Sequence, residues 1–180
     1  MANEKYALLD TDFISKMHLI RKDDKNKLID RITDMPDYCF YCHAQIQTEL
    51  KRHNIAGSPE WLKKMISDGV VHMFDDNQIM DELEETYGAS ASAMYMQLMK
   101  TACEAYKAGY FEEKFIELCK MDYSKVTKTE FLEKLKSDCE AIGEGQNLGE
   151  LKTYVLLQIL YIKNTYMCSV LKTKTRAMVW

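Results

Sequence analysis

Residues 37–50 read DYCFYCHAQIQTEL, an aromatic run that leads directly into a helical pattern. Residues 38–41 are rich in the aromatic side chains that favour strands. From 43 to 52, the apolar residues Ile46 and Leu50 lie four positions apart, as on one face of a helix. The stretch therefore predicts a strand that runs at once into a helix.

The same unit recurs on both sides of this stretch. A short apolar run at 6–10 predicts a buried strand, and 11–20 has helical spacing. A second helix is expected near 24–34. Further along, residues 58–68 predict a helix and 70–74 a third strand. Strands that alternate with helices indicate an α/β fold, in which a parallel sheet carries helices on both faces.

The second half of the chain has a different pattern. Residues 77–142 have helical stripes of apolar side chains, which predict an insert of three or four helices. A loop at 143–150 precedes a helix at 150–162 that is apolar nearly all round and therefore buried. Residues 165–171 predict a fourth strand. A length of 180 residues suits one domain, 1–180, with the insert inside it.

The string Cys39-Phe40-Tyr41-Cys42-His43 has the spacing of a c-type haem attachment. Its two cysteines could also be one of the two ligand pairs of a zinc site. The chain offers no second cysteine pair for zinc and no evident axial ligand for haem. The start lacks a signal-peptide pattern and no apolar run has the length of a membrane span, so we expect a cytoplasmic protein without membrane contact. We expect Cys39 and Cys42 to be core residues, with no haem and no zinc; redox chemistry is the alternative.

Charge is unevenly distributed along the chain. The net charge is −4, yet no acidic residue follows Glu150. The basic residues of the last thirty positions are Lys152, Lys163, Lys172, Lys174 and Arg176. This basic end has two interpretations, a phosphate-binding surface or an ordinary solvated one.

Four acidic residues lie at or after the predicted carboxyl ends of strands, where α/β sheets bind ligands. Asp10 ends the first strand, Asp12 follows it, Glu49 lies on the helix after the second strand, and Glu150 begins the buried helix. If they converge, their mutual repulsion requires a cation. Carboxylate oxygens suit Mg²⁺ or Mn²⁺, and such sites activate water against phosphodiesters.

Three motifs resemble the PIN-domain family: YALLDTDFIS at 6–15, IQTEL at 46–50 and NLGELKTYVLLQIL at 147–160. The resemblance implies a three-layer α/β/α fold with a central parallel sheet of about four strands. It also implies a metal-dependent endoribonuclease that cleaves single-stranded RNA, as a toxin or a phage-defence component.

The resemblance assigns roles to individual residues and suggests partners. The catalytic acids would be Asp10, Glu49 and Glu150, which would bind Mg²⁺ or Mn²⁺, with Asp12 as a fourth ligand. The expected partners are RNA and an antitoxin or other protein, and a homodimer is one of the assemblies left open.

One segment departs from the family. Lys172, Thr173 and Lys174 stand where the family usually carries acids, and the family commonly has a final helix and strand after this point. Either the site is degenerate and the chain is a non-catalytic module that binds RNA or a protein, or three carboxylates suffice and Lys172, Lys174 and Arg176 hold the RNA backbone. A third hypothesis, outside the family, is a helical interaction protein whose acids are surface charges.

Overall fold

A three-stranded parallel sheet forms the centre of the first half of the chain. The computed structural model describes residues 5–21, 27–53, 56–143 and 147–177, and it describes side chains as far as residue 162, except that of residue 53. The strands are β1 (Lys5–Leu8), β2 (Tyr38–His43) and β3 (Val71–Phe74), in the order β1-β2-β3. Their register pairs Leu8 with Tyr41 and His43 with Phe74.

The first three helices connect these strands. They are α1 (Thr11–Leu19), α2 (Ala44–His53) and α3 (Ser58–Ser67), with a 3₁₀ helix at Leu28–Asp34. Neighbouring parallel strands are joined by crossover connections, which are almost always right-handed. When the strands follow one another in sequence order, these crossovers all pass over the same face of the sheet. The opposite face is left to the rest of the chain.

Helices occupy the rest of the described chain. Between β3 and the last helix lie five helices: α4 (Asp76–Tyr87), α5 (Ala91–Ala105), α6 (Phe111–Lys114), α7 (Ile116–Cys119) and α8 (Lys128–Ile142). The last helix, α9, spans Leu148–Ala177. Neither α9 nor any other helix of the described residues is long and apolar enough to cross a membrane.

Two hydrophobic cores lie on opposite faces of the sheet. Phe40, Cys42 and Val71 point into the core formed with α1, α2 and α3. Tyr41 and Phe74 point the other way, into the core formed by α4, α5, α8 and α9. The alternation of side chains along β2 therefore explains why this strand is apolar on both faces.

The same alternation settles the arrangement of the cysteine pair. Cys39 and Cys42 are three positions apart in a strand, so their side chains lie on opposite faces of the sheet. Cys42 is fully buried, and burial raises the pKa of its thiol to about 12. The two sulfurs cannot bind one ion together, and the expectation that Cys42 is a core residue is confirmed.

The predicted fourth strand is wrong, and the sheet of the described residues has three strands. Residues 165–171 continue α9, which ends at Ala177. No glycine or proline interrupts this segment, and a short apolar run is ambiguous between strand and helix. The helix expected at 24–34 is a 3₁₀ helix at Leu28–Asp34, and residues 22–26 lie outside the described part.

The buried face of α9 should contribute a large share of stability. We expect Leu151→Ala to lower the free energy of unfolding by about 2–5 kcal/mol, because Leu151 is fully buried and its removal leaves a cavity. The matched control is Leu157→Ala in the same helix, where the side chain is 41% exposed. Urea denaturation should place the control within about 0.5 kcal/mol of the unsubstituted protein. Equal losses in both variants would contradict this packing.

Candidate functional site

Glu49 links three separate parts of the chain. Its side chain lies on α2 and is only 6% exposed. The hydroxyl of Thr11, the first residue of α1, donates to Glu49 Oε2 at 2.6 Å. The backbone N–H of Gly149, in the first turn of α9, donates to Glu49 Oε1 at 2.8 Å. The carboxylate therefore joins the amino ends of two helices, where the helix dipole favours negative charge.

Asp10 and Glu150 are the sequence neighbours of the two residues that bind Glu49. Asp10 immediately precedes Thr11 and caps α1, accepting the Phe13 N–H at 2.6 Å. Glu150 follows Gly149 in the first turn of α9. The pKa of the Tyr106 hydroxyl is raised, first by burial and then by the negative charges of Asp10 and Glu150. Both carboxylates therefore contribute to the electrostatic environment of this tyrosine.

The other predicted site residues lie elsewhere. Asp12 has a side chain that is 64% exposed and forms an ion pair with Lys16 of the same helix. The residues predicted to bind nucleic acid, Lys172, Lys174 and Arg176, belong to the last turns of α9, and their side chains lie outside the described part. The structure therefore places Asp10 and Glu150 next in sequence to the two residues that bind Glu49, and Asp12 on the exposed surface of α1.

The three carboxylates supply only oxygen donors, the type of ligand that Mg²⁺ and Mn²⁺ prefer. Each Glu49 oxygen accepts one hydrogen bond and keeps a second lone pair for a cation. As they stand, no three His, Cys, Asp or Glu side chains of the described residues are grouped so as to hold a metal ion. The donor chemistry fits such a cation, and binding requires Asp10 and Glu150 to turn toward Glu49.

A second polar cluster surrounds Asp76, the first residue of α4. His43, at the end of β2, donates from Nε2 to Asp76 Oδ1 at 3.2 Å, because its Nδ1 accepts the Gln45 N–H. Tyr95 of α5 donates to the same oxygen at 2.5 Å. Lys152 of α9 donates to Oδ2 at 2.6 Å. One carboxylate thus receives donors from a strand and two helices.

The charges of this cluster stabilise each other. Burial alone would raise the pKa of the Asp76 carboxyl, but the His43 hydrogen bond and the Lys152 charge lower it overall. Burial alone would lower the pKa of Lys152, which is 4% exposed, but the Asp76 charge raises it. The pKa of Tyr95 is raised by burial and by Asp76. Asp76 and Lys152 therefore form a buried ion pair, and Tyr95 remains a neutral donor.

An open pocket of about 720 Å³ lies beside this cluster, between α2, α4, α8 and α9. Its charged lining residues include equal numbers of both signs: Arg52, Lys136 and Lys152, with Asp75, Asp76 and Glu140. The buried Lys152 already has a carboxylate partner there. The pocket thus has no excess charge that would select an ionic ligand.

Sequence reasoning missed the Asp76 cluster. A signal was present, because Lys152 lies inside a helix that is otherwise apolar nearly all round. A lysine in such a helix needs a buried acidic partner. We assigned Lys152 to the basic end of the chain and gave no role to Asp75 and Asp76, which follow the third strand. Naming the partner requires the tertiary structure, since Asp76 and Lys152 are 76 positions apart.

Gly149 should be irreplaceable while Glu49 is present. A Cβ at position 149 would collide with the Glu49 carboxylate. We expect Gly149→Ala to destabilise the protein, although alanine in a helix is favoured over glycine by about 1 kcal/mol elsewhere. In a Glu49→Ala background the same change should cost much less, and a double-mutant cycle by urea denaturation would measure that coupling. Purely additive effects would contradict the contact.

Loss of the Asp76 charge should leave Lys152 buried without a partner. We expect Asp76→Asn to lower the free energy of unfolding by about 3–5 kcal/mol at neutral pH. The matched control is Asp75→Asn at the adjacent N-cap, where asparagine caps as well as aspartate and little change is expected.

The same variant should alter the acid sensitivity of the fold. The pKa of Asp76 is lower in the folded protein than its ordinary value of 3.8, so its contribution is complete above that value and is lost as the pH falls below it. Between about pH 4 and pH 3 the unsubstituted protein should lose about 1 kcal/mol more than Asp76→Asn. Parallel pH profiles of the two proteins in urea denaturation would contradict the lowered pKa.

Comparison with known proteins gives no assignment. No protein-family model matches the chain, and neither does any curated protein or solved structure. The resemblance to PIN domains therefore rests on three short motifs, and any function has to be argued from the residues and their geometry.

Proposed function

We propose that the chain is a metal-dependent endoribonuclease that cleaves single-stranded RNA at Asp10, Glu49 and Glu150. The observation that carries the proposal is the position of Glu49, a buried carboxylate held between the first turns of α1 and α9. Its charge lies next to residues that adjoin two further acids in the sequence, and acids that approach one another are stabilised by a cation. The hydrogen bonds from Thr11 and Gly149 hold the Glu49 carboxylate in a fixed position, which supports its role as the central ligand.

In this proposal, Asp10, Glu49 and Glu150 bind the cation through carboxylate oxygens. Mg²⁺ or Mn²⁺, when bound, supplies a Lewis acid that activates water and stabilises charge on a phosphodiester. Thr11 and Gly149 hold Glu49 by two hydrogen bonds, which fixes the direction of its remaining lone pairs. Lys172, Lys174 and Arg176 would bind the RNA backbone, and a toxin or phage-defence role would follow from this activity.

A second candidate function is a non-catalytic module of similar fold that binds RNA or a protein. Two observations favour it: the protein itself already occupies both Glu49 oxygens and one Asp10 oxygen, and the sequence has Lys172-Thr173-Lys174 at the position expected for further acids. The third hypothesis, a purely helical interaction protein, conflicts with the parallel sheet.

RNA cleavage distinguishes the first two candidates. We expect the purified protein to cleave mixed single-stranded RNA in Mn²⁺ or Mg²⁺ and not in EDTA. Asp10→Asn and Glu150→Gln should each lower the rate by roughly 100-fold or more, because even groups one step removed from a metal cost 10- to 100-fold. Gel analysis of labelled RNA measures both effects.

Two further variants sharpen this test. Asp122→Asn removes an acid on an exposed loop and should leave the rate unchanged. Asp12→Asn tests the fourth ligand, and its ion pair with Lys16 predicts little effect. Cleavage that persists in Asp10→Asn would indicate a contaminating nuclease. Absence of cleavage in every metal, together with RNA binding, would favour the non-catalytic module.

A further inference from the structure

One face of α9 exposes aromatic and apolar side chains next to the carboxylates. Tyr154, Leu157, Gln158, Tyr161 and Ile162 line a shallow pocket of about 250 Å³. The Tyr161 side chain is 71% exposed and that of Leu157 is 41% exposed. Because residues four and seven apart share a helix face, Glu150, Tyr154, Leu157 and Tyr161 form one row, which we call the tyrosine row.

A tyrosine from the helical segment connects this row to the carboxylates. The Tyr106 ring lies edge-on to the Tyr154 ring, with 5.8 Å between centroids. Tyr106 is 44% exposed. The pKa of its hydroxyl is raised by burial and by the negative charges of Asp10 and Glu150. From Glu150 to Tyr161 the row extends about 16 Å along the helix axis. Aromatic side chains thus follow Glu150 along one face of α9, and Tyr106 packs on the first of them.

The pocket also contains an unpaired hydrogen-bond donor. Gln158 Nε2 is buried and has no hydrogen-bond partner among the described residues. A buried donor without an acceptor is destabilising, so the Gln158 side chain gains a hydrogen bond when it turns into the pocket toward an acceptor on a ligand. This observation is independent of the ring geometry and points to a ligand with carbonyl or ring-nitrogen acceptors.

The charge along α9 narrows the choice of ligand. Beyond Ile162 every residue of the helix that is charged at neutral pH is basic: Lys163, Lys172, Lys174 and Arg176. A ligand that suits this helix has flat faces, hydrogen-bond acceptors and repeated negative charge. Unpaired nucleotides combine all three, since every base has a π-face that stacks on an aromatic ring.

We propose that the tyrosine row, together with Tyr106 and Gln158, binds the unpaired bases of single-stranded RNA. The backbone of that RNA is led toward Asp10 and Glu150. The inference rests on the proposed function for what happens at the carboxylates, but base binding by the row needs neither metal nor cleavage. The helical segment 77–142 acquires a role, because it supplies Tyr106.

The test measures RNA binding in EDTA, where cleavage cannot occur. A short fluorescein-labelled RNA of mixed sequence is titrated with the full chain, and anisotropy gives the Kd. Tyr161→Ala should raise the Kd roughly 5- to 100-fold, because stacking on an aromatic ring is worth about 1–3 kcal/mol per base. Tyr161→Phe keeps the ring and should bind as the unsubstituted protein does.

Matched controls separate the row from general surface effects. Tyr110→Ala removes a tyrosine that is 73% exposed but lies outside the row, and it should leave the Kd unchanged. A duplex of the same sequence should bind more weakly, since its bases are not free to stack. Tyr154→Ala and Tyr106→Ala should weaken binding as well, with thermal unfolding used to verify that each variant folds.

The outcomes also separate this inference from the nuclease proposal. Equal Kd values for Tyr161→Ala and the unsubstituted protein, or no RNA binding in EDTA, overturn the tyrosine row even if metal-dependent cleavage is found. A change of oligomeric state in Tyr161→Ala with unchanged RNA binding overturns it in favour of contact with a second copy. RNA binding that depends on the Tyr161 ring, together with no cleavage in any metal, supports the tyrosine row and refutes the nuclease proposal.

Discussion

The buried Asp76 carboxylate is the interaction on which the two halves of the fold depend. It begins α4 and receives donors from β2, α5 and α9 through His43, Tyr95 and Lys152. Replacing such an ion pair by apolar residues is often neutral for stability, so its value lies in specificity. Only one arrangement of the sheet and helices satisfies all three donors, and this fixes α5 and α9 relative to the sheet.

The Glu49 link applies a similar constraint at the other candidate site. A carboxylate buried on α2 is tolerable only because Thr11 and the Gly149 N–H satisfy it. Glycine at position 149 lets the carboxylate approach the backbone of α9, because a Cβ there would force the Glu49 side chain to move. The bonds that stabilise Glu49 also join the first turns of α1 and α9, which carry Thr11 and Gly149. A catalytic role requires the cation to add to these hydrogen bonds.

Local patterns predicted much of the first half of the fold. Alternating apolar and helical stretches predicted β1, β2, β3 and the helices between them. The convergence of Asp10, Glu49 and Glu150 stays a prediction, because periodicity does not place side chains from distant segments. The segment 165–171 was misassigned because apolar run length does not distinguish a strand from a continuing helix. The partner of Lys152 and the exposure of Tyr161 depend on long-range packing, which periodicity does not encode.

Helix α5 connects the Asp76 cluster to the tyrosine row. It carries Tyr95, which donates to Asp76, and its C-cap residue is Tyr106, whose ring packs edge-on against Tyr154 of α9. Eleven positions separate these residues, a distance of about 16 Å along a rigid helix. Because the Asp76 cluster fixes α5, it also fixes where Tyr106 stands relative to Tyr154 and the acids. The helical segment thus positions a side chain at the candidate site rather than only enlarging the core.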